Sequence, residues 1–254
     1  MLDAAAILSH IAEHGGQRKM TKREPQLPVQ SGAKEVDDFL RQVALTPVSK
    51  PAGARGRLIF AIDATASREP TWDMACHLQS EMFAETAALG GLDVKLVYYR
   101  GFGECRASPW LGNSRDLVER MNRVTCLGGR TQIRKVLRHA MKETRAKPVD
   151  ALIFVGDSVE ENVDRLCHVA GELGLLGVRA FVFHEGGEPV ARRAFEQIAQ
   201  LTGGAYCPFD AGSARQLRTL LSAVAVYAAG GRAALEDFSR KHGEEVRRIT
   251  HQIK

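Results

Sequence analysis

The chain of 254 residues is long enough for one large α/β domain with extensions, or for two small domains. Hydrophobic residues make up 44% of it, which supports a sizeable core, and the net charge of +5 is too weak by itself to indicate nucleic-acid binding. No apolar run approaches the roughly 18–20 residues of a membrane span, so the composition excludes an integral membrane protein with long apolar helices.

The first 56 residues read as an N-terminal extension. The sequence predicts a short amphipathic helix near 2–14 and a second one at 34–44, joined by a polar linker rich in Gly and Pro. The N-terminus carries an acid at Asp3 and no basic region, which is not the pattern of a signal peptide. The five cysteines are scattered without a CxxC pair, so we expect free thiols and a cytoplasmic protein.

From residue 57 onward, short apolar runs alternate with amphipathic segments. The apolar runs predict strands at 57–63, 93–100, 151–156, 178–183 and, more weakly, 204–208, with an edge hairpin at 104–113. The amphipathic segments predict helices near 71–90, 114–123, 131–145, 162–175, 189–201 and 213–228.

Near-continuous apolar strands that alternate with helices are typical of a parallel sheet covered on both faces. We therefore expect a doubly wound, mostly parallel α/β domain at 57–228, Rossmann-like in architecture. Residues 229–254 are predicted to form a polar C-terminal helix, interrupted by Gly243.

Polar side chains follow two of the predicted strands, and another follows a pair of glycines. In an open parallel sheet, ligands bind outside the carboxyl ends of the strands, so these side chains should meet at one edge. They are Asp63, Thr65 and Ser67 after the first strand, Thr131 after Gly128–Gly129, and Asp157 after the fourth strand.

Each of these residues also has an ordinary interpretation. Asp63 could cap the turn that follows it, Thr131 could be the N-cap of a helix, and Asp157 could cap the helix after its strand. The combination of two carboxylates and three hydroxyls at one edge is more informative, because an all-oxygen cluster suits a hard cation such as Mg²⁺.

The pattern D-A-T-A-S, then G-G-R-T, then an apolar strand that ends in Asp resembles the metal-ion-dependent adhesion site (MIDAS) of von Willebrand factor A (VWA) domains. Thr65 stands where that family usually has serine, and Ser158 follows Asp157 where glycine is common. The resemblance implies that Thr65, Ser67 and Thr131 supply hydroxyl ligands, while Asp63 and Asp157 hold metal-bound waters.

The resemblance also implies a function. A cation held by neutral hydroxyls stays electrophilic and can capture an Asp or Glu of a partner protein. The expectation is therefore a non-catalytic, Mg²⁺- or Mn²⁺-dependent protein-binding adaptor of the intracellular bacterial type, without a membrane partner and with nucleic acid an unlikely one. Because intracellular members often serve ATPase machines, the resemblance extends to an ATPase-type partner.

A second family uses similar motifs. Haloacid-dehalogenase-like phosphotransferases end their first strand with D-x-D-x-T or D-x-T-x-T, which DATAS resembles, and a later strand with G-D-x-x-x-D, which VGDSVEEN resembles. Asp63 would then be a nucleophile that forms an aspartyl phosphate, with Asp157 on Mg²⁺ and Lys135 or Lys147 beside the phosphoryl group. The missing second acid and the missing cap insert favour the adhesion-type interpretation. A metal site that has decayed into a structural one is a further alternative.

Residues 114–147 carry ten Lys or Arg against three acids. Arg130, Arg134 and Arg138 are spaced four apart, which predicts a stripe on the helix that follows the glycine pair. The stripe is either a solvated face or a positive rim that attracts an acidic partner.

Overall fold

The structure, a computed structural model, describes residues 38, 41, 55–209 and 214–250, with side chains placed up to residue 240. Its six strands form one sheet with the order β3-β2-β1-β4-β5-β6, in which β3 runs antiparallel to β2 and all other neighbours are parallel. The strands are β1 Gly56–Asp63, β2 Leu92–Arg100, β3 Glu104–Ala107, β4 Ala151–Gly156, β5 Arg179–Glu185 and β6 Ala205–Phe209. The predicted fold class is confirmed.

Within residues 55–209 and 214–250, six helices cover the two faces of this sheet. They are α1 Glu69–Thr86, α2 Ser114–Asn122, α3 Ile133–Ala146, α4 Val163–Leu175, α5 Pro189–Leu201 and α6 Ala214–Thr250, with short 3₁₀ turns at Ala66–Arg68 and Ala87–Leu89. Helices α1, α2 and α6 pack on one face, and α3, α4 and α5 on the other. Alternate β1 residues supply the two cores: Phe60 faces the first set of helices and Ile59 the second.

The C-terminal helix differs from the prediction. Its backbone stays helical through Gly243 and breaks instead at Gly231, whose φ of 70° favours glycine. The segment after this break stays on the core, where Leu235 and Phe238 are buried. The predicted boundary at 228 thus lies inside α6.

The N-terminal extension predicted for residues 1–56 lies almost wholly outside the residues that the structure describes. The predicted helix near 2–14 lies outside them, and so does most of the one at 34–44. Asp38 and Arg41, which belong to the second, are helical and form an ion pair of 3.7 Å. Within the described part of the chain, no helix is both long and apolar enough to cross a membrane.

The strand order creates a crevice at one edge of the sheet. The chain goes from β1 to β2 on one side and later returns to place β4 on the other side of β1. The connections after β1 and β4 therefore lead away in opposite directions, and this is where doubly wound folds bind ligands. Asp63 ends β1 and Asp157 follows β4, so both lie at this crevice.

Two glycines should respond in opposite ways to the same substitution. A Cβ on Gly56 would lie 2.6 Å from the carbonyl oxygen of Ala228, because α6 crosses β1 closely there, whereas a Cβ on the helical Gly171 would meet nothing within 4 Å. Gly56→Ala should lower the stability by about 1–3 kcal/mol through overpacking. Gly171→Ala should raise it by roughly 0.5–1 kcal/mol through helix propensity. Thermal unfolding measures both, and an increase in Tm for Gly56→Ala would contradict the packing argument.

Candidate functional site

Asp63 is a buried carboxylate with no exposed surface. Its Oδ1 accepts a hydrogen bond of 2.7 Å from the backbone N–H of Thr65, and its Oδ2 accepts one of 3.0 Å from the hydroxyl of Tyr99. Tyr99 is the register partner of Asp63 on β2 and is equally buried. The first bond is the turn-capping role considered from the sequence, and the second anchors the same carboxylate to the neighbouring strand.

The carboxylates of Asp63 and Asp157 are close enough to repel each other when both are ionised. Burial raises the pKa of Asp63, the hydrogen bonds from Thr65 and Tyr99 oppose that rise, and the nearby charge of Asp157 adds to it. The pKa of the Tyr99 phenol is raised well above its usual range by burial and by Asp63, so Tyr99 remains a hydrogen-bond donor. A cation bound near both carboxylates would offset this unfavourable charge.

The two hydroxyls after β1 face the carboxylate after β4. A 3₁₀ turn, closed by a hydrogen bond of 3.0 Å from the N–H of Arg68 to the carbonyl of Thr65, places Thr65 Oγ1 3.4 Å from Ser67 Oγ. Ser67 Oγ donates to Asp157 Oδ2 at 3.0 Å. The other oxygen, Asp157 Oδ1, is buried and has no hydrogen-bond partner among the described residues.

Thr131 lies on the third loop and is not the helix cap. Its hydroxyl accepts a hydrogen bond of 3.0 Å from the N–H of Glu160, and its own N–H donates to Glu160 Oε2 at 3.1 Å. Helix α3 begins two residues later at Ile133, and the carboxylate of Glu161 accepts from the N–H groups of Ile133 and Arg134. Glu160 and Glu161, from the loop between β4 and α4, therefore accept the hydrogen bonds at the start of α3, in place of the N-cap role that the sequence suggested for Thr131.

Three of the predicted residues share one cleft. The cleft has a volume of about 230 Å³ and is lined by Thr65, Ala66, Ser67, Gly128, Gly129, Thr131, Ser158 and Glu160. Asp63 and Asp157 are not among the residues that line it. All five predicted residues belong to the same sheet edge. Three present hydroxyls at the cleft, Asp157 accepts a hydrogen bond from the Ser67 hydroxyl, and Asp63 accepts one from the backbone N–H of Thr65.

Close backbone approach holds the cleft together. A Cβ on Gly129 would lie 2.0 Å from the carbonyl oxygen of Gly101, so only glycine fits there. The same carbonyl accepts a hydrogen bond of 3.0 Å from the N–H of Arg130, and Leu127 N–H donates to the carbonyl of Ala64 at 3.0 Å. The loops after β1 and β2 and the loop before α3 thus form one connected unit. Arg130 lies in this loop, so of the predicted arginine stripe only Arg134 and Arg138 are on the helix.

Sequence reasoning missed several residues that shape the site. Tyr99 belongs to a predicted apolar strand and carries no further signal, and Glu160 and Glu161 follow Asp157 in the segment VGDSVEEN without a predicted role. Arg68 is fully buried and forms an ion pair with Glu185 at the end of β5, which also accepts a hydrogen bond from Thr71. The position of Glu160 and Glu161 after an apolar strand does indicate a role at the site. The residues that they contact are distant in sequence, so the pattern does not identify them.

The same geometry bears on the phosphotransferase alternative. Asp63 has no exposed surface and both of its oxygens accept hydrogen bonds, which is unsuitable for a nucleophile. Lys147 lies at the opposite edge of the sheet, where its carbonyl accepts a hydrogen bond from Arg57 at the start of β1. The ammonium of Lys135 donates to Gly103 and Gln132. The arrangement gives this alternative no support.

The oxygen atoms are suitably spaced for a small divalent ion. Octahedral Mg²⁺ holds its ligands at about 2.1 Å, so neighbouring ligand oxygens are about 3 Å apart. The spacing of 3.4 Å between the hydroxyl oxygens of Thr65 and Ser67 is close to this value, and Ser67 Oγ also donates a hydrogen bond of 3.0 Å to Asp157. In the described part of the chain, no group of three or more His, Cys, Asp and Glu side chains could hold a metal, so a site here depends on the hydroxyls. The residues fit a hard cation.

No family model matches the sequence, and no curated protein matches it. Solved structures do resemble the fold. The VWA domain of SpRpn10 matches with a TM-score of 0.50 and 12% identity, over 70% of this chain and 98% of that one. The pilus adhesin SpaC from Lactobacillus rhamnosus GG matches with a TM-score of 0.56 and 12% identity, over 75% of this chain and 31% of that one.

A third similar structure is proximal thread matrix protein 1 from the mussel byssus, described with a zinc-occupied MIDAS motif. It matches with a TM-score of 0.54 and 16% identity, over 70% of this chain and 49% of that one. The chain thus spans about a third of SpaC and about half of the mussel protein. At these identities the likeness establishes the fold alone, which is that of VWA domains.

The hydrogen bond from Tyr99 should contribute measurably to stability. Tyr99→Phe removes the donor to a buried carboxylate oxygen, which should lower the free energy of unfolding at neutral pH by about 1–3 kcal/mol. Tyr98→Phe is the matched control, because Tyr98 is half-buried on the same strand and its hydroxyl makes no hydrogen bond within the described residues. Urea denaturation compares the two variants, and equal losses of stability would refute the role of the Asp63–Tyr99 bond.

The raised pKa of Asp63 also predicts a pH dependence. The folded protein holds the Asp63 proton more tightly than the unfolded chain does, so ionisation destabilises the fold. As pH rises from about 4, the usual carboxyl value, towards the folded-state pKa, wild type should lose stability relative to Asp63→Asn. Urea denaturation of both proteins in EDTA, across this pH range, measures the difference. If the stability of wild type relative to Asp63→Asn stays constant or increases as pH rises, the argument is contradicted.

Proposed function

We propose that the cleft binds Mg²⁺ or Mn²⁺ through the hydroxyls of Thr65, Ser67 and Thr131. The observation that carries the proposal is the pair of hydroxyl oxygens of Thr65 and Ser67, 3.4 Å apart, beside the Asp157 carboxylate, one of whose oxygens is buried and has no partner among the described residues. Asp157 would accept a metal-bound water on its free oxygen. Asp63, whose oxygens already accept hydrogen bonds, would mainly contribute compensating charge and hold the Thr65–Ser67 turn in place.

We further propose that the bound ion captures an Asp or Glu side chain from a partner protein. Neutral hydroxyls leave most of the ion's charge uncompensated, and the carboxylates balance it from beneath. The ion can therefore accept one more anionic ligand on the side of the cleft. A volume of about 230 Å³ is smaller than the roughly 300–1,000 Å³ of small-molecule sites, which favours insertion of a single side chain.

The proposed role is binding and not catalysis. The residues that line the cleft offer hydroxyls and the single carboxylate of Glu160, without a lysine, cysteine or histidine among them. The similar structures include a pilus adhesin, which is in keeping with a role in protein interaction. An ATPase-type partner follows from the sequence resemblance alone and a cytoplasmic location from the scattered cysteines, and both stay predictions.

Thermal unfolding with and without Mg²⁺ or Mn²⁺ tests the metal site. An ion at about 100 times its Kd should add roughly 2.7 kcal/mol to the stability, a shift of several degrees in a domain of this size. Ser67→Ala and Thr131→Ala should each reduce or abolish the shift, because each removes a ligand. Thr125→Ala is the matched control, since this exposed threonine is on the same loop as Thr131 but does not line the cleft.

The same measurement separates the alternatives. A phosphotransferase site would bind the metal mainly through Asp63 and Asp157, so Ser67→Ala would keep its shift and phosphate would appear on Asp63. A site that has become purely structural would give no shift in wild type. Either result refutes the proposed adhesion-type site.

A further inference from the structure

The rim of the cleft carries two exposed apolar side chains. Phe102 is 85% exposed at the tip of the β2–β3 hairpin, and Leu127 is 55% exposed on the loop before Gly128. Large exposed apolar side chains that lie together mark interaction surfaces. Most other exposed large hydrophobic residues of the described chain lie elsewhere: Leu175, Leu176 and Leu201 are at the carboxyl ends of α4 and α5, at the opposite edge of the sheet.

Backbone contacts place Phe102 and Leu127 beside each other and beside the cleft. The N–H of Gly101 donates to the carbonyl of Leu127 at 3.4 Å, and the Leu127 side chain lies 3.6 Å from where a Gly101 Cβ would be. Leu127 directly precedes Gly128 and Gly129, both of which line the cleft. Because Phe102 directly follows Gly101, these two exposed residues lie on adjacent loops beside the cleft, and we call Phe102 and Leu127 the apolar rim.

The hairpin that presents Phe102 is held in place by a buried amide. Gln132 Nε2 donates to the carbonyls of Arg100 and Glu104 at 3.2 Å each, on the two sides of the tip. Lys135 Nζ donates to the carbonyl of Gly103 at 2.7 Å. Because the backbone of the tip is already held in place, binding through Phe102 costs little backbone conformational freedom, which suits an anchoring contact.

Charge around the cleft is distributed unevenly. Arg130 is exposed next to Gly129, and the ammonium of Lys135 lies beneath the hairpin tip, so the side with the apolar rim is positive. Glu160 lines the cleft and is exposed, which makes its side negative. An acidic partner segment is therefore attracted where it lies next to the apolar rim and repelled where it lies next to Glu160.

We propose that the apolar rim is a subsite for a bulky apolar residue that neighbours the metal-binding acid of a partner protein. This inference rests on the proposed function of the cleft, and it adds the partner's chemistry: an Asp or Glu with a leucine-like or aromatic side chain within a few residues. The ion makes binding dependent on metal, and the apolar rim selects among acidic segments.

Selection from a library of short random peptides, each with one fixed Asp or Glu, tests this with the full-length chain. In Mg²⁺ the selected peptides should be enriched in apolar residues near the acid, and EDTA should abolish binding. Phe102→Ser and Leu127→Ser should each weaken a selected peptide by about tenfold or more, as loss of an anchoring contact does. Leu175→Ser, at a residue 91% exposed near the opposite edge, is the matched control and should leave binding unchanged.

The outcomes distinguish the subsite from the metal site. Mg²⁺-dependent peptides without apolar enrichment, or equal binding by Phe102→Ser, would overturn the subsite and leave the metal site standing. If no peptide binds in a metal-dependent way, and Ser67→Ala behaves as wild type, both proposals are wrong. A concentration-dependent dimer that Phe102→Ser disrupts would overturn the inference in favour of a second copy of the chain.

Discussion

The burial of one carboxylate at the end of the central strand organises the candidate site. An ionised Asp63 without partners would cost several kcal/mol in the core. Two hydrogen-bond donors offset this cost: the backbone N–H of Thr65, and the phenol of Tyr99 on the neighbouring strand. The first donor fixes the turn that presents Thr65 and Ser67. The second makes the geometry of that turn depend on the β1–β2 register, and therefore on the sheet as a whole.

The remaining loops join this edge through contacts that leave little freedom. Gly129 approaches the carbonyl of Gly101 so closely that no side chain fits, and the carboxylates of Glu160 and Glu161 hold Thr131 and the first turn of α3. Donors at a helix N-terminus normally require a local cap or water. Because a neighbouring loop satisfies them here, the position of Thr131 is coupled to the loop that follows β4.

The predictable part of the molecule is the part governed by local pattern. β4 was predicted residue for residue, and α4 and α5 to within one residue, because buried parallel strands and amphipathic helices have distinct apolar periods. The doubly wound order then placed Asp63 and Asp157 at one crevice by a general rule. The Tyr99 contact and the hydrogen bonds of Glu160 and Glu161 join residues 27 to 36 positions apart, which periodicity cannot pair. The helix also breaks at Gly231 and not at Gly243, and the core contacts of Leu235 and Phe238 beyond the break are likewise distant in sequence from their partners on the sheet.

The separation of charge within the site explains how binding strength and selectivity can be independent. In the proposed site, the carboxylates are below and the neutral hydroxyls line the opening, so an ion is compensated from one side and remains attractive from the other. Any exposed carboxylate could satisfy that attraction, and the ion alone would discriminate poorly among acidic proteins. Discrimination must therefore come from the surface around the ion. There, the buried amide of Gln132 holds the hairpin that carries Phe102, and the carboxylate of Glu160 lines the cleft and repels acids that approach it. Metal dependence and partner choice would then reside in different residues of one connected edge.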